Sequence, residues 1–133
     1  MSIQPIRIAM LGCGTVGTGV VHLLTNQARE IEARIGCPTQ IVGIGVRNPD
    51  SERDPLVNSS LLTTDIQGLT LRDDVDLVVE VMGGTDTAFT AIESALKHNK
   101  HVVTANKALL AARGSELIEE AEARGLDLMF EAS

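Results

Sequence analysis

Ile6-Arg7-Ile8-Ala9-Met10-Leu11-Gly12-Cys13-Gly14-Thr15-Val16-Gly17 is the stretch whose reading decides the fold. A short, mostly apolar run has the length and composition of a strand, and the glycine cluster after it turns the chain. Val16, Val20, Leu23, Leu24, Ala28, Ile31 and Ile35 then recur at helical spacing, predicting one long amphipathic helix stopped by Gly36 and Pro38. A second strand is expected at Gln40-Ile41-Val42-Gly43-Ile44-Gly45-Val46 and a weaker third at Leu61-Leu62-Thr63. Asp76-Leu77-Val78-Val79-Glu80-Val81-Met82 is a clear fourth, closed by Gly83-Gly84. The next helix should start near Thr85, whose hydroxyl can cap its first turn, and bury Ala88, Phe89, Ile92, Ala95 and Leu96. His101-Val102-Val103-Thr104 is the fifth strand, followed by a helix from Asn106 interrupted at Gly114-Ser115 and stopped at Gly125; a sixth strand begins at Leu126. Strands alternating with helices predict an α/β fold, a Rossmann-type doubly wound parallel sheet of about six strands with helices on both faces, ordered 3-2-1-4-5-6.

Length and composition narrow the function. A chain of 133 residues fits one domain, here expected to span residues 1–133. Abundant Val, Ile and Leu with moderate net charge exclude intrinsic disorder. Two cysteines, Cys13 and Cys37, cannot staple a chain this long and point to a reduced, cytoplasmic setting. No apolar run reaches the ~20 residues of a membrane span, and no signal-peptide pattern opens the sequence. With a net charge of −7 and only Phe89 and Phe130 as aromatics, neither phosphate neutralisation nor base stacking is available, so nucleic acid is not an expected partner. An anionic small ligand would be held locally, by backbone amides and a few placed cations.

The glycine loop is where such a ligand belongs. As a string, G-x-G-x-x-G is weak; between a strand and a helix in a βαβ unit it predicts a dinucleotide site. Gly12 permits the tight turn, Gly14 lets backbone approach a pyrophosphate, and Gly17 allows close packing of helix on strand. Amides of Gly14, Thr15, Val16 and Gly17 would face the ligand at the positive helix end. Cys13 is expected there as a small side chain. At the end of strand two, where an acid would grip the ribose of NAD, the chain has Val46-Arg47-Asn48. Arg47 can hold a 2′-phosphate, so NADP is the expected cofactor with NAD tolerated, the plainer alternative being a solvated arginine in a turn.

Two further segments fall at the carboxyl ends of strands, where ligands sit in open α/β sheets. Gly83-Gly84-Thr85 offers bare backbone and a hydroxyl, or a simple turn with a cap. Thr104-Ala105-Asn106-Lys107 offers an amide and an ammonium beside a nicotinamide or carbonyl substrate. Lys107 could give a proton to a developing alkoxide, or be an ordinary surface lysine; its place at a helix start, against the dipole, favours a functional reason. His22, His98 and His101 lack ligand spacing, Asp73, Asp74 and Asp76 form a polar turn, and Glu116, Glu119, Glu120 and Glu122 a solvated helix face.

Together these blocks resemble homoserine dehydrogenase: the loop from Gly12 to Gly17, Val46-Arg47, Glu80-Val81-Met82-Gly83-Gly84, and Thr104-Ala105-Asn106-Lys107-Ala108-Leu109-Leu110-Ala111. The resemblance spans the chain, and the last two blocks are its most specific part. It implies reversible hydride transfer between NAD(P)H and the C4 aldehyde of L-aspartate 4-semialdehyde, giving L-homoserine on the route to threonine and methionine. It implies that Lys107 assists proton transfer at the junction of cofactor and substrate. It also implies that Glu131, in Phe130-Glu131-Ala132-Ser133, belongs to the region of a monovalent cation site. In this family the substrate-binding and dimer-forming domain lies downstream, so the 133 residues are expected to bind cofactor without turnover and the full-length enzyme to be a homo-oligomer. The alternatives are another amino-acid-pathway dehydrogenase and a stand-alone dinucleotide sensor.

Overall fold

The structure, a computed structural model, describes residues 4–130. Six parallel strands form one sheet in the order β3-β2-β1-β4-β5-β6: β1 Ile6–Leu11, β2 Thr39–Gly45, β3 Leu62–Thr63, β4 Leu77–Glu80, β5 His101–Thr104 and β6 Leu128–Phe130. This is the expected doubly wound, Rossmann-type order, and β1 and β5 fall where the apolar runs place them. The order reverses between β1 and β4, whose outgoing loops part there and leave a crevice beyond the strand ends.

Residue alternation along β1 divides the core. Ile8 and Met10 face one side with Val21, Ile44, Val46 and Val57. Ala9 and Leu11 face the other, with Leu69, Val78, Phe89, Ile92, Leu96, Val102, Leu109 and Leu117. Helix α1 (Thr15–Asn26) covers the first side, whereas α3 (Ile66–Leu71), α4 (Asp86–Lys97) and α5 (Lys107–Arg124) cover the second. On the α1 side the row Val79, Val103, Met129 runs across β4, β5 and β6 in register, and Met129 is exposed.

Several expectations are corrected. The single long helix is two: α1 ends at Asn26, and α2 (Ala28–Ile35) follows a break at Gln27, whose φ and ψ are −117° and 26°. Length explains the break: α1 is about 18 Å long against roughly 20 Å for β1, while one helix over residues 15–35 would run about 31 Å and overshoot the sheet. Val16, Leu23, Ala28 and Ile35, expected on the one apolar face, are exposed, and α2 buries none of its residues. Thr85 does precede α4, but its hydroxyl makes no cap bond. Its backbone is already helical (φ −116°, ψ −44°), whereas a capping side chain works from an extended residue. The short α3, capped by Asp65 through Gly68 N (3.0 Å), had no counterpart in the sequence reading. The interruption expected at Gly114-Ser115 is a kink at Arg113 (φ −145°), one residue earlier.

Candidate functional site

Loops leaving β1, β2, β4 and β5 meet at the crevice. Gly12 adopts φ +102°, donates its N–H to Gly45 O (2.7 Å), and leaves room for a Cβ only 3.0 Å from Val81 O. A Cβ on Gly17 would stand 2.8 Å from Gly12 O, so turn and helix touch through backbone. Gly14, the residue before α1, is open: nothing lies within 4 Å of where its Cβ would be. The start of α1 carries no side-chain cap and no acidic residue in its first turn, leaving the amides and positive end of a twelve-residue helix for an anion. Thr15 and Val16 are exposed at this end.

Two cavities flank the loop. The larger, about 370 Å³, is lined by Gly12, Cys13, Gly14, Val46, Arg47, Asn48, Arg53, Val81 and Met82, among others. Arg47 therefore stands where the sequence placed it. Arg53 joins it, a cation that the sequence reading passed over. Its Nη2 donates to Asn48 O (2.8 Å) and its Nη1 to Ser51 O (3.1 Å), folding the polar loop back over the cavity. His22 Nε2 meets Asp54 Oδ2 at 2.8 Å, tying that loop to α1 and holding the Asp54 carboxyl below the usual carboxylate range. The smaller cavity, about 210 Å³, is lined by Val16, Glu80, Val81, Met82, Gly83, Ala105 and Asn106. A third cavity near Val21, Leu24 and Ile41 is lined by no titratable group.

Around the smaller cavity, Gly83 and Gly84 have φ of +80° and +76°, left-handed values that suit glycine. Asn106 is buried; its Oδ1 accepts from Leu109 N (3.0 Å) and caps α5, while its Nδ2 donates to Gly84 O (2.5 Å). Lys107 follows as the first residue of α5 and is exposed. The structure thus brings Gly83, Gly84, Asn106 and Lys107 together at one end of the crevice, with Arg47 at the other and the glycine loop between. Thr85 is half-buried next to Gly84. Glu131 lies outside the described residues, and no group of three His, Cys, Asp or Glu among those described could hold a metal ion.

A sequence model for the NAD-binding domain of homoserine dehydrogenase matches residues 12–131. The chain belongs to the homoserine dehydrogenase family. It is 48% identical over 130 residues to a homoserine dehydrogenase of Mycobacterium tuberculosis, covering 98% of this chain and 29% of the relative. It is 40% identical to that of Bacillus subtilis, again covering 98% of this chain and 30% of the relative. The crystal structure of a homoserine dehydrogenase from Thiobacillus denitrificans superposes with a TM-score of 0.91 at 38% identity, over 96% of this chain and 30% of that one. The chain therefore spans about three-tenths of the length of these homoserine dehydrogenases, and the stretch it matches is the one that binds a nicotinamide dinucleotide. Neither a separate sensor nor a different dehydrogenase is favoured. No helix among the described residues is long and apolar enough to cross a membrane.

Proposed function

We propose that this chain is the cofactor-binding part of an enzyme that interconverts L-aspartate 4-semialdehyde and L-homoserine with NADPH as preferred reductant and NADH tolerated. The observation that carries the reading is the uncapped start of α1, laid open by Gly14 and facing a cavity rimmed by Arg47 and Arg53. Amides of residues 14–17 would hold the pyrophosphate, and Arg47 would pair with the 2′-phosphate through two parallel N–H bonds. Gly83, Gly84 and Thr85 would border the nicotinamide half, with Asn106 fixing their position. Bound nicotinamide supplies the hydride to the aldehyde carbon, and Lys107 would deliver a proton to the oxygen that becomes the hydroxyl. Substrate contacts and self-association would belong to the length of the relatives that this chain does not span. Cytoplasmic location fits an NADPH-dependent step and two free cysteines.

Paired titration of NADPH and NADH tests the reading, followed by the fluorescence of the reduced nicotinamide because the chain has no tryptophan. Arg47→Ala should weaken NADPH roughly 10- to 100-fold, the worth of a charge-assisted bidentate contact, and leave NADH within about twofold. Equal losses would remove Arg47 from the 2′-phosphate, and no binding of either nucleotide to the unmodified chain would remove the cofactor role.

A further inference from the structure

The end of β4 carries a carboxylate that the proposed hydride transfer does not use. Glu80 is wholly buried, yet it borders the smaller cavity. Its Oε2 accepts from Met82 N (2.8 Å) and Gly83 N (3.3 Å), and its Oε1 accepts from the Thr104 hydroxyl (2.5 Å). Thr104 Oγ1 in turn accepts from Asn106 N (3.1 Å), and Asn106 Nδ2 returns to Gly84 O. The bonds close a ring: Glu80, the 82–84 turn, Asn106, Thr104, and Glu80 again. We infer that Glu80 is a positioning residue that, through this ring, sets the two loops flanking the nicotinamide half of the cofactor. The inference rests on the cofactor reading above.

Three features support it. The 83–84 turn is two glycines in left-handed conformations, so it has no side chain with which to anchor itself. Asn106 is both a member of the ring and the cap of α5, so the ring also fixes where Lys107 begins its helix. Burying a carboxylate is costly, and it is sustained here by three donors, two backbone N–H groups that can only donate and a hydroxyl whose accepting side is already used by Asn106 N. A glutamine would accept through one oxygen only and would turn an NH2 toward either Thr104 or the amides. The adenosine end is held mainly by different bonds, Gly12 N to Gly45 O, Val81 N to Leu11 O, and Arg53 to the carbonyls of residues 48 and 51, and Met82 is the one ring member that also lines its cavity. Disturbing the ring should therefore loosen one half of the cofactor and spare the other.

Calorimetric titration with NADPH and with 2′,5′-ADP, which carries the adenosine half alone, separates the two ends. Glu80→Gln and Thr104→Val should each weaken NADPH roughly tenfold or more, the scale of a buried hydrogen bond to a charged group, while 2′,5′-ADP stays within about twofold. Thr104→Ser keeps the hydroxyl and should keep the unmodified ratio of the two affinities, so the Thr104 pair decides the matter even if Glu80→Gln fails to fold. Variants in which that ratio does not change, whether both ligands weaken together or neither does, overturn the inference. An unmodified chain that binds neither ligand overturns the cofactor reading instead.

Discussion

Gly14 and Gly17 stand three residues apart in one motif and do different physical work. A methyl on Gly17 meets a backbone oxygen at 2.8 Å, which can yield only if α1 moves off β1. Overpacking of this kind costs about 1–3 kcal/mol, against the roughly 1 kcal/mol that alanine returns in helix propensity, so the clash wins. A methyl on Gly14 meets nothing, and its φ of −84° lies outside the left-handed region that demands glycine. Gly14→Ala should hold its stability to within about 1 kcal/mol, the usual spread for a changed residue before a helix. It should still lose NADPH, because the methyl occupies the space through which a pyrophosphate reaches the amides. Gly17→Ala should melt lower. Denaturation curves and NADPH titrations on both variants check this; undiminished NADPH binding by Gly14→Ala would detach the loop from the pyrophosphate.

Among the elements, β1 and β4 are joined at their amino ends as well as along their ladder. Asp76 accepts from the Arg7 backbone N–H (2.9 Å), from Nε (3.0 Å) and from Nη2 (3.0 Å), and these bonds hold its carboxyl below the usual carboxylate range. A carboxyl depressed on folding contributes stability that is present above its unfolded value, near 3.8, and is lost as pH falls through the lower folded value. Both side chains are about two-fifths exposed, so solvent screens the pair and its contribution is modest. Asp76→Asn should therefore lower the melting temperature slightly at pH 7, and the gap from the unmodified chain should narrow as pH falls below the unfolded value near 3.8. A gap that does not narrow on acidification would assign the loss to packing. The sequence announced Asp76 only as part of a polar turn, because its partner is 69 residues away. Strand order, the glycine loop and the places of Arg47 after β2 and Lys107 after β5 were legible because apolar runs and glycine spacing are local signals. The break at Gln27 was not, since it depends on how long the sheet beneath is. Six-residue α3 is too short to show a period, and Arg53 reaches the cavity only by bonding back to residues 48 and 51. The partners Glu80 and Thr104, 24 residues apart, become neighbours only when β4 and β5 pair.

The whole molecule carries a net charge of −7, yet the ligand it is built for is also an anion. Screening resolves the conflict: at physiological salt, charges beyond about 8–10 Å count for little, whereas a guanidinium in direct contact with a phosphate is hardly screened. Arg47, Arg53 and the end of α1 therefore count for more than the acidic residues of α2 and α5, and although Asp50, Glu52 and Asp54 share the loop of the two arginines, none of them lines the larger cavity. The crevice also spans loops that leave β1, β2 and β4, strands that contribute to both cores. A dinucleotide seated there binds the folded chain and not the unfolded one, which converts affinity directly into stability. At a free concentration one hundred times its dissociation constant, NADPH should add about 2.7 kcal/mol. With an unfolding entropy near 2.1 cal/mol/K per residue, a chain of this size should melt roughly 10 °C higher. Gly14→Ala, tested at the same NADPH concentration, should lose most of that rise while its ligand-free melting point stays near that of the unmodified chain. A thermal scan with and without NADPH reads both numbers. An equal rise in the two proteins would mean that the stabilising ligand sits elsewhere than over the glycine loop.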